Sequence, residues 1–355
     1  MKSTEKLFSL SNVDAILLVS DKNRMYFTGF ASTFGYLLLF PQDQNYFITD
    51  PRYYEMAQSL ECREMHVLQI ENGVSALGMV TKILNDHKVK TLGYEDTELT
   101  VAEFGGIKEG LSSFELVPVG KNINTVRSYK TEEEISYIKR AQEITDLSFK
   151  QICKVIKAGM TERQVAIELE YLMAKNGAEG LAFDTIVASG VNTSKPHAHP
   201  TDKVIQVGDA VTMDFGARYH GYCADMTRTV FVGEPSEEMR KIYNIVLLAQ
   251  KTGISGAYNG IAGSELDALC REVIKSNGYG TCFTHSTGHS LGIDIHETPS
   301  ASSRSTDKLT AGQLITVEPG IYVPGLGGVR IEDLLLFTQD GVIDLTKSDK
   351  NIIIL

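Results

Sequence analysis

Between Asp209 and Glu332 four carboxylates stand inside runs that otherwise read as buried strand, and any fold of this stretch must supply something to neutralise them. The first run, DAVTMDFGARYHGYCADMTRTVFVG, alternates Val211, Met213 and Phe215 on one face with Thr212, Asp214 and Gly216 on the other. A polar turn at Arg218 to Gly221 and a returning strand from about Tyr222 to Val232 predict a hairpin that sets Asp214 and Asp225 side by side. The third run repeats the device. LITVEPGIYV and GVRIEDLLLF, joined by Pro324 to Gly328, each place one glutamate, Glu318 and Glu332, among apolar neighbours. Between them THSTGHSLGIDIHETP supplies His289 and His296. Burying ionised carboxylates is costly unless a cation and hydrogen bonds compensate. Taken singly, each fits a solvated strand face or a pairing with Arg228 or Arg330. Taken together with His289, and without a matching set of nearby lysines, they point to a pair of divalent metal ions. No cysteine belongs to the set, which favours manganese, or cobalt and zinc in mixed oxygen and nitrogen sites, over structural zinc.

The remaining composition narrows the setting. A chain of 355 residues is long enough for two domains, and a net charge of −11 without a basic tract argues against a nucleic-acid partner. Cys62, Cys153, Cys223, Cys270 and Cys282 are odd in number and in no metal-type pair, so they read as reduced thiols in a cytoplasmic protein. The run AILLV at 15–19 is far below the ~18 residues that span a bilayer, so neither membrane insertion nor a secretion signal is expected.

From the start to 124 the short apolar runs AILLV, YLLLF, YFIT, VLQI and ELVPV alternate with amphipathic segments, predicting an α/β domain with a mixed sheet. Asp50 and Pro51 suit the N-cap and first turn of a helix through about Leu60. Residues 125–130 lie in a polar joint, and 131–355 form a second, α+β domain. Thr131 with Glu134 opens a helix expected to reach about Ala158, with Ile135, Ile138, Ala141, Ile144, Thr145 and Leu147 to Phe149 on its apolar stripe. Thr161 with Gln164 opens another that stops near Gly177 and carries Val165, Ile167, Leu169 and Leu172 inward. Two more helices are expected from Ser236 to about Tyr258 and from Ser264 to about Asn277.

Six of the eight histidines fall between 197 and 296, where the carboxylates are. His197 lies in SKPHAHP, and an imidazole at His296 is suited to donate to a developing oxyanion. His285 is a further candidate, whereas His220 reads as a solvated turn residue and His66 and His87 as surface residues. His199 carries no assigned role. No G-x-S-x-G, GxGxxG or P-loop pattern is present, which sets aside serine hydrolase and nucleotide chemistry.

These motifs resemble the pita-bread metallopeptidases, in the branch of Xaa-Pro dipeptidases (prolidases) and aminopeptidase P. The matching residues are Asp214 in MDFGARYHGYCADMTRT, Asp225 eleven positions on, His289 in STGHSLGIDIHETP, Glu318 in ITVEPGIY and Glu332 in GVRIED. NRMYFTGF and TDPRYYEMA extend the likeness to a creatinase-type N-terminal α/β domain. The family often has HGxGHGxG where this chain reads HSTGHSLG, with Ser286 and Ser290 replacing glycines.

The resemblance implies two divalent metal ions, Mn2+ before Co2+ or Zn2+. Asp214 would bind one ion, Asp225 and Glu332 would bridge both, and His289 and Glu318 would complete the second, with a hydroxide held between them as nucleophile. His197 and His296 would act on the substrate side and Glu318 in proton transfer. His285, Thr227, Tyr322 and Arg330 would support the ligands or meet substrate, Thr227 by bonding the Asp225 carboxylate. The implied activity is hydrolysis of the bond preceding proline in a di- or oligopeptide, by a cytoplasmic homodimer. The alternatives are aminopeptidase P action on longer peptides and a non-catalytic peptide-binding module.

Overall fold

The computed structural model describes residues 2–42, 44–63 and 65–355. Two compact units are present, Met1–Arg127 and Ser128–Leu355.

In the first unit the apolar runs become strands β1 (Ala15–Leu18), β2 (Tyr36–Leu39), β3 (Asn45–Thr49) and β4 (Met65–Gln69), followed by β5 (Thr91–Tyr94) and β6 (Glu115–Pro118). They form one mixed sheet in the order β4-β3-β2-β1-β5-β6. Both faces are apolar because both are covered. Ile16 and Leu18 pack with Leu7, Ala57, Ile123 and Val126, from helices α1 (Lys2–Ser11), α3 (Pro51–Ala57) and α6 (Gly120–Ser128). Ala15 and Leu17 pack with Val80, Leu84 and Ile107, from α4 (Ala76–Asp86) and α5 (Val101–Gly110), while α2 is Asp21–Thr28. Asp50 caps α3 by accepting from the Arg52 amide, but the α-helix ends at Ala57 and continues to Arg63 as a 3-10 helix. No helix among the described residues is long and apolar enough to cross a membrane.

The second unit repeats one plan twice. Helices α7 (Glu132–Ile152) and α8 (Glu162–Lys175) open with the expected capping boxes at Thr131 with Glu134 and Thr161 with Gln164. Helix α7 stops at Ile152, short of the expected Ala158. Leu147 and Ile167 face outward, because the buried stripes run instead through Ile138, Ala141, Thr145 and Phe149 and through Val165, Leu169 and Leu172. After β7 (Gly180–Leu181) and β8 (Ile186–Ser189) comes the first hairpin, β9 (Ala210–Phe215), β10 (Ala217–Tyr219), β11 (Tyr222–Cys223) and β12 (Met226–Phe231). Its apolar face, Val211, Met213, Phe215, Met226 and Val230, packs on Ile144, Phe149, Val165 and Leu169 of the helix pair.

Helices α9 (Glu237–Gly256) and α10 (Gly263–Ser276) follow, then a short ribbon of β13 (Gly288–Ser290) and β14 (Glu297–Ala301). The second hairpin is β15 (Leu314–Val317), β16 (Gly320–Val323), β17 (Gly327–Arg330) and β18 (Asp333–Thr338), with β19 (Gly341–Asp344) at its edge. Ile315, Val317, Ile321 and Val329 pack on Ile242, Val246, Leu266 and Cys270 of α9 and α10.

Candidate metal centre

Each hairpin is bent, and the bends carry three of the four acidic residues. In the first, β9 pairs with β12 and β10 with β11, with a break at Gly216 on one arm and at Ala224 and Asp225 on the other. In the second, β15 pairs with β18 and β16 with β17, with breaks at Glu318–Pro319 and Ile331–Glu332. The runs expected as continuous strands are therefore interrupted at Asp225, Glu318 and Glu332. A residue between two ladders is released from the strict in-out alternation of a strand, so its carboxylate can turn toward a common point. Gly216 makes the first bend possible: a Cβ there would lie 1.8 Å from the Ala224 carbonyl oxygen.

The register corrects the expected pairing of the aspartates. Asp214 stands opposite Thr227 and Ile186, while Asp225 lies just outside β12. They converge across the bend and not as ladder partners. Thr227 likewise donates to Glu332 Oε2 at 2.7 Å and not to Asp225, because the β12 register turns its hydroxyl toward the second hairpin.

The four carboxylates, His285, His289, His296, His197 and Arg330 line one cavity of about 270 Å³, with Phe183, Ile186, Pro196, Ser286 and Ile295 as further walls. Asp225, His289 and Glu332 each offer a ligand atom, all within 4.8 Å of one another. His289 Nδ1 faces the Ser290 carbonyl at 3.1 Å, which assigns it the proton. Its Nε2 is left as a lone pair, 3.6 Å from Asp225 Oδ2 and 3.4 Å from Glu318 Oε1. An imidazole lone pair and two carboxylate oxygens thus face one another.

The electrostatics say the same. Burial, then repulsion from Glu332, Asp214 and Glu318, holds the Asp225 carboxyl well above its ordinary range. Burial and repulsion from Glu318 and Asp214 raise Glu332 likewise. Burial pushes Glu318 up to about 8 against the opposing pull of Arg330, and pushes His289 and His285 down to about 4. Asp214 Oδ1, Asp225 Oδ1 and Glu332 Oε1 are buried without a hydrogen-bond partner. Orphaned carboxylate oxygens beside an imidazole lone pair are an oxygen and nitrogen donor set that fits a divalent cation.

One guanidinium threads the acidic wall. Arg330 donates to Asp214 Oδ2 at 2.6 Å, to Thr227 Oγ1 at 2.9 Å and to the Tyr322 hydroxyl at 2.8 Å. The Tyr322 oxygen is also 2.8 Å from His285 Nε2, and His285 Nδ1 is 2.8 Å from the Ser286 carbonyl. These partners assign Nδ1 the proton and let Tyr322 donate to Nε2. Arg228, the other candidate partner, instead pairs with Asp333 at 2.7 Å, and its guanidinium donates to the Glu332 carbonyl at 2.5 Å.

His296 meets His289 ring to ring, with centroids 4.4 Å apart. His197 lines the cavity, and His199 is exposed outside it. His220, at φ +47°, is exposed but stacks on Tyr137 at 4.6 Å. The walls Phe183, Ile186 and Ile295 escape sequence reasoning, since nothing local signals that Ile186 stands beside Asp214 in the β8–β9 ladder.

Comparison with known proteins places this geometry in a family. Residues 136–339 match the model of metallopeptidase family M24, and residues 1–129 match the creatinase/prolidase N-terminal domain. The chain is 39% identical over 348 residues to an Xaa-Pro dipeptidase of Pyrococcus furiosus, covering 98% of this chain and 97% of that one. Among solved structures, an Xaa-Pro dipeptidase from Bacillus anthracis superposes with a TM-score of 0.96 at 42% identity, covering 100% and 99% of the two chains. An X-Pro aminopeptidase from Thermotoga maritima gives 0.91 at 37% identity, covering 98% and 99%. With the matched segments spanning both units, the chain belongs to metallopeptidase family M24, as a pita-bread peptidase domain behind a creatinase/prolidase-type N-terminal domain.

Proposed function

We propose that this protein is an Xaa-Pro dipeptidase, a metallopeptidase that hydrolyses the peptide bond preceding proline. The observation that carries the reading is the cluster of Asp225, His289 and Glu332 in a cavity also walled by Phe183, Ile186 and Ile295. Asp214, Asp225, His289, Glu318 and Glu332 would together hold two divalent ions, His289 and Glu318 serving one and Asp214 the other, Mn2+ before Co2+ or Zn2+. When bound, such ions lower the pKa of a water toward neutrality and polarise the scissile carbonyl.

The chain's own groups do the rest. Glu318 takes the proton of the attacking water and delivers it to the departing proline nitrogen. His296, against His289, donates to the carbonyl oxygen as charge develops there, and His197, also lining the cavity, orients the substrate. The bond before proline has no N–H to grip, so the peptide is oriented through its termini and the shape of the proline ring. Arg330, Thr227 and Tyr322 keep the carboxylates and His285 in register.

In this reading catalysis resides in 131–355, joined through 125–130 to the domain 1–124. The protein works as a homodimer in the cytoplasm, where a reducing environment suits the free thiols of Cys153, Cys223, Cys270 and Cys282; the Cys62 side chain lies outside the described residues. Aminopeptidase P activity is the second reading, favoured by the likeness to the Thermotoga maritima enzyme. The test is hydrolysis of a panel of Xaa-Pro dipeptides and tripeptides after chelation and re-addition of single metals. Faster cleavage of Ala-Pro than of Ala-Pro-Pro selects the dipeptidase, and turnover indifferent to prolonged chelation refutes both.

A further inference from the structure

Behind the metal centre, on a helix that contributes nothing to the cavity, sits an ion pair that the mechanism above does not use. Asp267 is fully buried on α10, and Arg271, one turn on, grips it with both prongs, Nε to Oδ2 at 2.7 Å and Nη2 to Oδ1 at 2.9 Å. The bidentate contact still leaves guanidinium N–H groups and carboxylate lone pairs to be met. Here nearly every remaining valence is turned onto the segment that leads into β13. Arg271 Nη1 donates to the Phe283 carbonyl at 3.0 Å and Nη2 to the His285 carbonyl at 2.8 Å. Its guanidinium lies 4.2 Å from the centroid of the Phe283 ring, whose neighbour, edge to face at 5.1 Å, is the His285 imidazole. Asp267 Oδ1 accepts from both the amide and the hydroxyl of Thr287, at 3.1 and 3.0 Å.

Thr287 then joins this clamp to two metal-centre residues. Its carbonyl accepts from the Glu318 amide at 2.8 Å, and two residues later His289 enters the site. Gly288 between them has no room for a side chain, since a Cβ would lie 1.8 Å from the Thr316 carbonyl oxygen. The segment is pressed against β15 on one side and bolted to α10 on the other.

We propose that Asp267 and Arg271 are a positioning pair that sets the metal affinity of the site by fixing Phe283 to His289, and through Thr287 the backbone of Glu318. Neither residue touches metal or substrate. The proposal rests on the reading of His289 and Glu318 as ligands, and its readout is metal uptake by the folded apoprotein.

The test is Mn2+ titration, followed by electron paramagnetic resonance of the free ion, of full-length wild type, Arg271→Met, Arg271→Lys and Thr287→Val. Leu169→Ala, a buried truncation on α8 in the core behind the first hairpin and not behind the second, is the control for lost stability alone. Arg271→Met is expected to weaken Mn2+ binding by ~10–100-fold, the range found when groups behind metal ligands are removed. Arg271→Lys keeps the charge opposite Asp267 but loses the fork that reaches two carbonyls, and does not restore the affinity. Thr287→Val, a milder change that keeps the amide bond to Asp267, shows a smaller loss in the same direction and decides the matter if Arg271→Met does not fold. Affinity in Arg271→Met and Thr287→Val within about threefold of wild type, well short of that range, overturns the proposal. So does an equal loss in Leu169→Ala. A wild type that takes up Mn2+ but cleaves no Xaa-Pro peptide refutes the proposed substrate and leaves this outcome standing.

Discussion

Arg330 shows why single residues here resist single roles. It is an ion-pair partner of Asp214 and, through Thr227 and Tyr322, a brace for Glu332 and His285. The identity of the acidic residues and of His289 is legible in the sequence, because carboxylates in apolar runs need a cation. Which supporting residue serves which ligand is not: Thr227 bonds Glu332 and not Asp225, a fact of ladder register that no spacing reveals. Asp225→Asn is expected to abolish turnover, exceeding the ~10–100-fold loss typical of groups one layer further out. In chelator the same variant is expected to raise the melting temperature, because it removes one carboxylate from a mutually repelling set. Both are read by peptide hydrolysis and calorimetry. Thr227→Val leaves Glu332 Oε2 and Arg330 Nε without their shared hydroxyl, and is expected to weaken Mn2+ binding by ~10–100-fold in the same titration.

Among the elements, α7 and α8 were the most readable, since capping boxes mark their starts in three or four residues of local sequence. Their ends and inward faces were less so, as the early stop at Ile152 and the outward Ile167 show. β5 escaped notice because TLGY offers one large aliphatic, and its Gly93 is what lets Ile16 and Val119 close over it. The strand breaks were invisible for a different reason: Glu318 and Glu332 continue an apolar pattern in sequence while the ladder changes partners in space. At this scale the backbone contact of β13 with β15 is as strict a requirement as the bend at Gly216. Gly288→Ala is expected to destabilise the second unit by at least ~3 kcal/mol, the upper end of overpacking costs, because the clashing atom is a backbone carbonyl. Urea unfolding of the metal-free protein measures it.

For the whole molecule, the metal-free centre sets a pH dependence whose sign follows from linkage. Asp225, Glu332 and Glu318 have folded pKa values above their ordinary ones, so their contribution is present at low pH and lost as pH rises, for Glu318 through about 8. His285 and His289, lowered from 6.5 to about 4, work oppositely, and their contribution is lost as pH falls below 6.5. Above 6.5 only the carboxylate loss remains. Melting temperature in chelator is therefore expected to fall between pH 6.5 and 8, and saturating Mn2+ to abolish the fall. A flat profile in chelator would remove the case for a repelling acidic cluster. The twinned plan of the second unit carries one more consequence. Asp225 comes from the first bent hairpin, Glu332 from the second, and each hairpin has its own helix pair at its back. A cation seated there is a rivet across a seam: it draws donors from both halves, and prising the halves apart strips some of them away.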